Sequence, residues 1–206
     1  MSILLIACGA LARELIAIRD RHQLDDVKIM AIPAQLHNHP HKIPHAVHER
    51  LVELRQDGLE FERAIVVYGD CGTGGMLDRK LAELGLERIE GPQCYEQYAG
   101  AAEFDRMMDE TPGTFFLTDF MVQSYEHLII EGLGLDRFPE LRDLYFGNYE
   151  RIVYLQQRSD PDLVTRAYQV AEELHLPLEI KFTAYGELET RLLRKIHTLK
   201  AGNYHS

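Results

Sequence analysis

The sequence predicts an α/β protein built on a mainly parallel, doubly wound sheet, with helices on both faces and about six to seven strands. Two observations carry this. Short, wholly apolar runs alternate with longer stretches along the whole chain, and such runs are what strands buried on both faces look like. In the longer stretches apolar residues recur three and four apart, which is the spacing of one helical face.

Ile3 to Ala7 is the first strand, and Ala10 to Arg21 is its helix, with Leu11, Leu15 and Ile18 in phase. Val27 to Ile32 is the second strand. Pro44 opens a helix striped by Val47, Leu51 and Leu54, and Gly58 ends it. Ala64 to Tyr68 is a third strand, Met76 to Leu84 a helix closed by Gly85, and Arg88-Ile89 a short fourth strand before a helix over Ala101 to Met108. Thr114 to Leu117 is a fifth strand. Ser124 to Tyr149 is mostly helical, interrupted around Gly132, Gly134 and Pro139. Ile152 to Leu155, the helix Pro161 to Leu174, the strand Leu178 to Phe182 and the helix Leu188 to Leu199 complete the pattern. No Pro-, Gly- or Ser-rich linker splits the chain. Residues 1–206 therefore read as a single, Rossmann-like α/β domain, with two pseudo-halves at about 1–110 and 111–199. The polar tail from Lys200 to Ser206 reads as frayed.

Composition narrows the class. The chain has 206 residues, 46% hydrophobic and 27% charged, as soluble globular proteins do. A formal net charge of -11 argues against nucleic acid, which needs a positive face, and against an anionic membrane surface. No apolar run approaches the roughly 20 residues of a membrane span. The start, Met-Ser-Ile-Leu-Leu-Ile-Ala, reads as a strand and not as a secretory signal, so a cytoplasmic location is expected. In that compartment three cysteines point to metal binding, redox chemistry or catalysis and not to disulfides.

Ligands of such sheets bind outside the carboxyl ends of the strands. All three cysteines, Cys8, Cys71 and Cys94, fall in strand-end segments. So do Gly9, His37, Asn38, Gly69, Gly72, Gly74, Glu96, Thr118 and Asp119. Three readings follow. In the first, Cys8, Cys71 and Cys94 with His37 form a Cys3His metal set, which suits zinc; an iron–sulfur cluster with one non-cysteine ligand is the alternative. Glu96 or Asp119 could replace His37 or orient a ligand. In the second, Cys71 is a nucleophile in a Gly-rich turn before a helix, with a histidine from the 37–48 segment as base and Glu96 and Asp119 as further catalytic candidates. In the third, the loop from Tyr68 to Gly75 cradles a phosphate. It matches neither phosphate-loop spacing, and Asp70 puts a negative charge where a phosphate would lie. The glycines of that loop are then explained by a tight turn. His41, His45 and His48 follow a helical spacing and read as a solvated face. Phe115, Phe116, Phe120, Tyr145, Phe146 and Tyr149 read as core or interface.

The segments Ala7-Cys8-Gly9-Ala10, His37-Asn38 with Pro40, Tyr68-Gly69-Asp70-Cys71-Gly72 with Gly74, Pro92 with Cys94, and Leu117-Thr118 together resemble the family known as domain of unknown function 1638. The resemblance spans most of the chain. It implies an association with corrinoid-dependent methyl transfer. It makes Gly9, Asn38, Gly69, Gly72, Gly74 and Thr118 candidates for holding a cofactor, and a contact with a corrinoid an open expectation. The partner would be a small-molecule substrate or a corrinoid protein or methyltransferase, with self-association left open. The protein would be a methyltransferase-type metalloenzyme that activates a thiol, or a non-catalytic accessory of such a system.

Overall fold

The computed structural model describes residues 1–201. The chain forms parallel sheets flanked by helices and divides into two compact units. The first comprises Met1–Cys94 and the C-terminal stretch from Leu188; the second is Tyr95–Glu187.

The sheet of the first unit holds β1 (Ile3–Cys8), β2 (Val27–Ile32), β3 (Arg63–Val67) and β4 (Glu87–Arg88). They run parallel in the order β2-β1-β3-β4. The unbroken apolar run of β1 has to be covered on both faces, and every residue from Ile3 to Cys8 is buried. At the edge, β2 buries only Val27 and Ile32. Three helices of this unit are α1 (Ala12–Arg21), α2 (Ile43–Gln56) and α3 (Met76–Leu84). They bury Leu15 and Ile18, Val47, Leu51 and Leu54, and Leu77 and Leu81 respectively. Gly85 ends α3 in the left-handed conformation, φ 64°.

The chain steps from β1 to one side for β2, then back across β1 for β3. Parallel crossovers are right-handed, so this reversal sends α1 and α2 to opposite faces. The point of reversal lies between β1 and β3. In open parallel sheets the loops leaving the carboxyl ends of two such strands diverge, and ligands bind between them.

The second unit is entered through α4 (Cys94–Ala99) and α5 (Ala101–Glu110). Its sheet is β5 (Thr114–Thr118), β6 (Arg151–Gln156) and β7 (Leu178–Phe182), parallel and in sequential order. Between β5 and β6 lie α6 (Asp119–Gln123), a π-helical turn (Glu126–Glu131) and α7 (Leu141–Phe146). Between β6 and β7 lies α8 (Pro161–Leu174), whose first turn is capped by the Asp160 carboxylate on the N–H of Asp162 (3.1 Å). The core of this unit joins Leu117, Tyr125, Ile152, Tyr154, Leu163, Ala167 and Val170. Finally α9 (Gly186–Ala201) carries the chain back to the first unit, where Leu188, Leu192 and Ile196 are buried.

Among the described residues the strands number seven, within the expected six to seven, and pair in parallel, but they are shared between two sheets. The reason is visible in β4, which is two charged residues long and ends the pairing. Cys94, expected in a loop, is the first residue of α4. The tail reading falls partly on α9, which runs through Lys200 and Ala201; the rest lies outside the described residues. Among the described residues, no helix is long and apolar enough to cross a membrane.

Candidate functional site

The two strands that flank the reversal, β1 and β3, each deliver a cysteine at the carboxyl edge of the sheet. Cys8 is the last residue of β1 and is 3% exposed. Its sulfur accepts the N–H of Ala10 (3.4 Å) and so caps a short 3-10 turn over Gly9–Leu11. Cys71 follows β3 by a few residues and holds a left-handed backbone, φ 48°. After β2, a 3-10 turn over Ala34–Asn38 brings His37 in beside Cys8. Its Nδ1 donates to the Ala34 carbonyl (2.9 Å) and lies 3.8 Å from the Cys8 sulfur.

Cys94 comes from a fourth direction. The segment after β4 docks its backbone on the loop after β3: the N–H of Cys71 donates to the Pro92 carbonyl (2.8 Å) and that of Asp70 to the Gly91 carbonyl (3.3 Å). Gly69 lets the two chains touch, because a Cβ there would lie 2.6 Å from Cα of Gln93. Cys94 follows directly.

The electrostatics show the four groups acting on one another. Burial alone would lower the His37 imidazole, but its bonds to Cys71 and Cys8 outweigh that and push it up to about 11. Burial, with negative charge at Cys71 and Cys8, drives the Cys94 thiol well up. Negative charge at Cys71 or Cys8 thus makes a thiolate at Cys94 harder to form unless a cation joins them. The buried carboxyl of Glu14, on α1, adds to the pressure on Cys94.

Sequence reasoning missed Tyr68. It reads as the end of an apolar strand, yet it is 1% exposed with its ring stacked on His37, centroids 5.9 Å apart at 16°. Its phenol is pushed up by burial first and then by Cys8, Cys71 and Cys94. The signal that could have found it was its position next to Gly69-Asp70-Cys71, where a polar-tipped aromatic lies beside the cysteine loop.

The glycine-rich loop is not a phosphate cradle. The Asp70 carboxylate fills it, accepting from the Thr73 hydroxyl (2.7 Å) and the N–H groups of Gly75 (2.8 Å) and Gly74 (3.1 Å). The Gly75 bond leads in holding Asp70 below the usual carboxylate range. A negative charge already sits at the start of α3, so the helix end offers Cys71 less help as a nucleophile.

The remaining candidates separate. Gly9 packs against the end of β2, where a Cβ would be 3.1 Å from the Ile32 carbonyl. Gly72 faces Pro40, with 3.6 Å from a Cβ to that ring. Gly74 stands over open space, and Asn38 is exposed at the end of its turn. Glu96, Thr118 and Asp119 belong to the second unit. Glu96 is buried in the first turn of α4. Thr118 caps α6 by accepting the N–H of Met121 (3.3 Å). Asp119 is 1% exposed and accepts from the Tyr154 hydroxyl (2.7 Å), the N–H of Gln157 (3.0 Å) and Nε of Arg158 (3.2 Å). Of the three histidines read as a solvated face, His41 and His45 are exposed and His48 is half-buried.

The structure therefore brings Cys8, His37, Cys71 and Cys94 within interaction range, with Tyr68 among them. Among the described residues, no three His, Cys, Asp or Glu side chains converge tightly enough to grip an ion as they stand. A cavity of about 580 Å³ opens elsewhere in this unit, at the amino edge of the sheet beside Arg63, Glu87 and Lys195. Lys195 and Glu87 are paired there, and strand-end chemistry favours the opposite edge.

No curated protein and no solved structure matches the chain. A family model described as "Protein of unknown function (DUF1638)" matches residues 31–192, a span holding His37, Tyr68, Cys71 and Cys94 and beginning after Cys8. The chain belongs to that family.

Proposed function

We propose that this protein binds a soft metal ion, zinc foremost, through Cys8, His37, Cys71 and Cys94, and that the loaded site serves corrinoid-linked methyl metabolism. The observation that carries the metal reading is that three thiols and an imidazole, each following a different strand of one parallel sheet, lie near enough to act on one another. Thiolates and imidazole are the donors zinc takes in Cys3His sets. The Ala34 carbonyl orients the His37 ring as backbone carbonyls orient metal-bound imidazoles. Zinc so held supplies a Lewis acid that keeps a substrate thiol as its thiolate. Around it, the chain's own residues do the positioning: Asp70 shapes the Cys71 loop, and Gly69 brings Cys94 to it. The corrinoid setting rests on the family resemblance alone. The partner there is a small-molecule thiol or a corrinoid protein.

The test is zinc affinity by competition with a chromophoric chelator. Cys8→Ser, Cys71→Ser and Cys94→Ser should each weaken binding by at least about tenfold, as lost ligands do. Undiminished affinity in all three variants would refute the site. A visible absorption band in the untreated protein would assign the same sulfurs to an iron–sulfur cluster instead.

A further inference from the structure

The metal reading uses four donors and leaves Tyr68 without a task. Its ring is 1% exposed, and its phenolic oxygen is buried with no hydrogen-bond partner. Buried hydroxyls nearly always find one, so an orphan of this kind calls for an explanation. Cys8, Cys71 and Cys94 all lie near enough to act on the phenol through their charge. Cys8 is the nearest in effect, close enough to be felt as a hydrogen-bonding neighbour, but sulfur is a weak acceptor and the hydroxyl reaches no partner at full hydrogen-bond geometry. Behind the phenol is the His37 ring, stacked on it. The hydroxyl is thus a donor held ready inside a ring of metal-type ligands.

We infer that Tyr68 is a substrate-binding residue, donating its O–H to an anionic sulfur or oxygen atom of a small molecule bound at the cysteine cluster. The inference rests on the metal reading. With the three sulfurs as ligands, a bound ion would have room for one further donor, and the incoming atom would compete for it with His37. Tyr68 tips that competition toward the anion, because hydrogen bonds to charged acceptors are the strong ones. No bond to Tyr68 is made or broken beyond this hydrogen bond.

Co(II)-loaded protein provides the test, since its visible spectrum reports a new ligand. Titrations with 2-mercaptoethanol and with azide separate a sulfur source from a nitrogen anion that stands in for hard donors. In wild type at least one should shift the spectrum saturably. Tyr68→Phe should bind Co(II) at the same stoichiometry but weaken that ligand by roughly ten- to hundredfold. The metal-free variant should also melt roughly 2–4 °C higher, because an unpaired buried hydroxyl has been removed. A tyrosine with a merely structural bond would show the opposite shift. Equal ligand affinity in the two proteins, a lower melting point of the metal-free variant, or no ligand response in Co(II)-loaded wild type would overturn the inference and leave the metal reading standing. Failure of wild type to take up Co(II) would bring down both.

Discussion

A Cβ at Gly69 would lie 2.6 Å from Cα and 2.7 Å from N of Gln93, and 2.7 Å from the Pro92 carbonyl oxygen. All three obstacles are backbone, so nothing flexible can give way. Gly69→Ala should cost about 1–3 kcal/mol, the range for overpacking a tight contact. It should also weaken zinc binding, because the segment pushed away carries Cys94. Urea denaturation checks the first part, and a loss below about 0.5 kcal/mol would contradict the close approach. At this scale the sequence was informative about which residue types matter, less so about why. The cysteines stood out because a thiol at a strand end has few reasons to be there. Gly69 read as a loop glycine, because the segment it touches lies far along the chain. Tyr68 read as core, because an aromatic residue closing an apolar strand is core in most sheets; only the orphaned hydroxyl distinguishes it.

Among the elements, the junction of β5, α6 and β6 is held by Asp119, with donors from Tyr154, Gln157 and Arg158 around one buried carboxylate. The N–H of Asp119 is taken in turn by the Gln157 side chain (2.7 Å). Such a group ties strand ends together. Asp119→Ala should therefore cost about 2–3 kcal/mol, short of a fully buried ion pair because Arg158 keeps 32% of its side chain exposed. Stability unchanged within about 0.5 kcal/mol would deny it that role. A second element-level prediction concerns pH. On α5, Glu103 is bonded first by Arg106 and then by Lys181 of β7, which lower its carboxyl to about 2. Its folded value lies below the unfolded one of about 4.3, so the stability it lends is fully present above that pH. It is lost as the pH falls toward about 2. The pair is solvent-screened and the effect small. Glu103→Gln should flatten the acid limb of the unfolding profile over that window. An unaltered profile would contradict the pairing. Element identity was readable because helical stripes and apolar runs differ in period. The short α4 was not, since Gly91-Pro92 signals a turn and Cys94–Ala99 is too brief to show a stripe.

At the scale of the molecule, the decisive feature is strand order. Alternating strands and helices announce a parallel sheet, but which edges pair is set by tertiary contacts that leave no local pattern. The sequence could therefore place three cysteines at strand ends without showing that they meet. The order β2-β1-β3-β4 puts the reversal between the strands that deliver Cys8 and Cys71, so those two follow neighbouring strand ends. The sequential order β5-β6-β7 has no reversal, and the cavity of about 510 Å³ in the second unit opens instead beside the end of β7, at Lys181, Phe182 and Thr183. The division into two sheets was hidden for the same reason. The central claim is that the cysteine cluster of the first unit is a metal site. Metal analysis of protein purified without a histidine tag, under anaerobic conditions, tests it most directly. The account predicts roughly one zinc per chain, as a single Cys3His set would hold. Less than about a tenth of an equivalent of zinc or iron would contradict it.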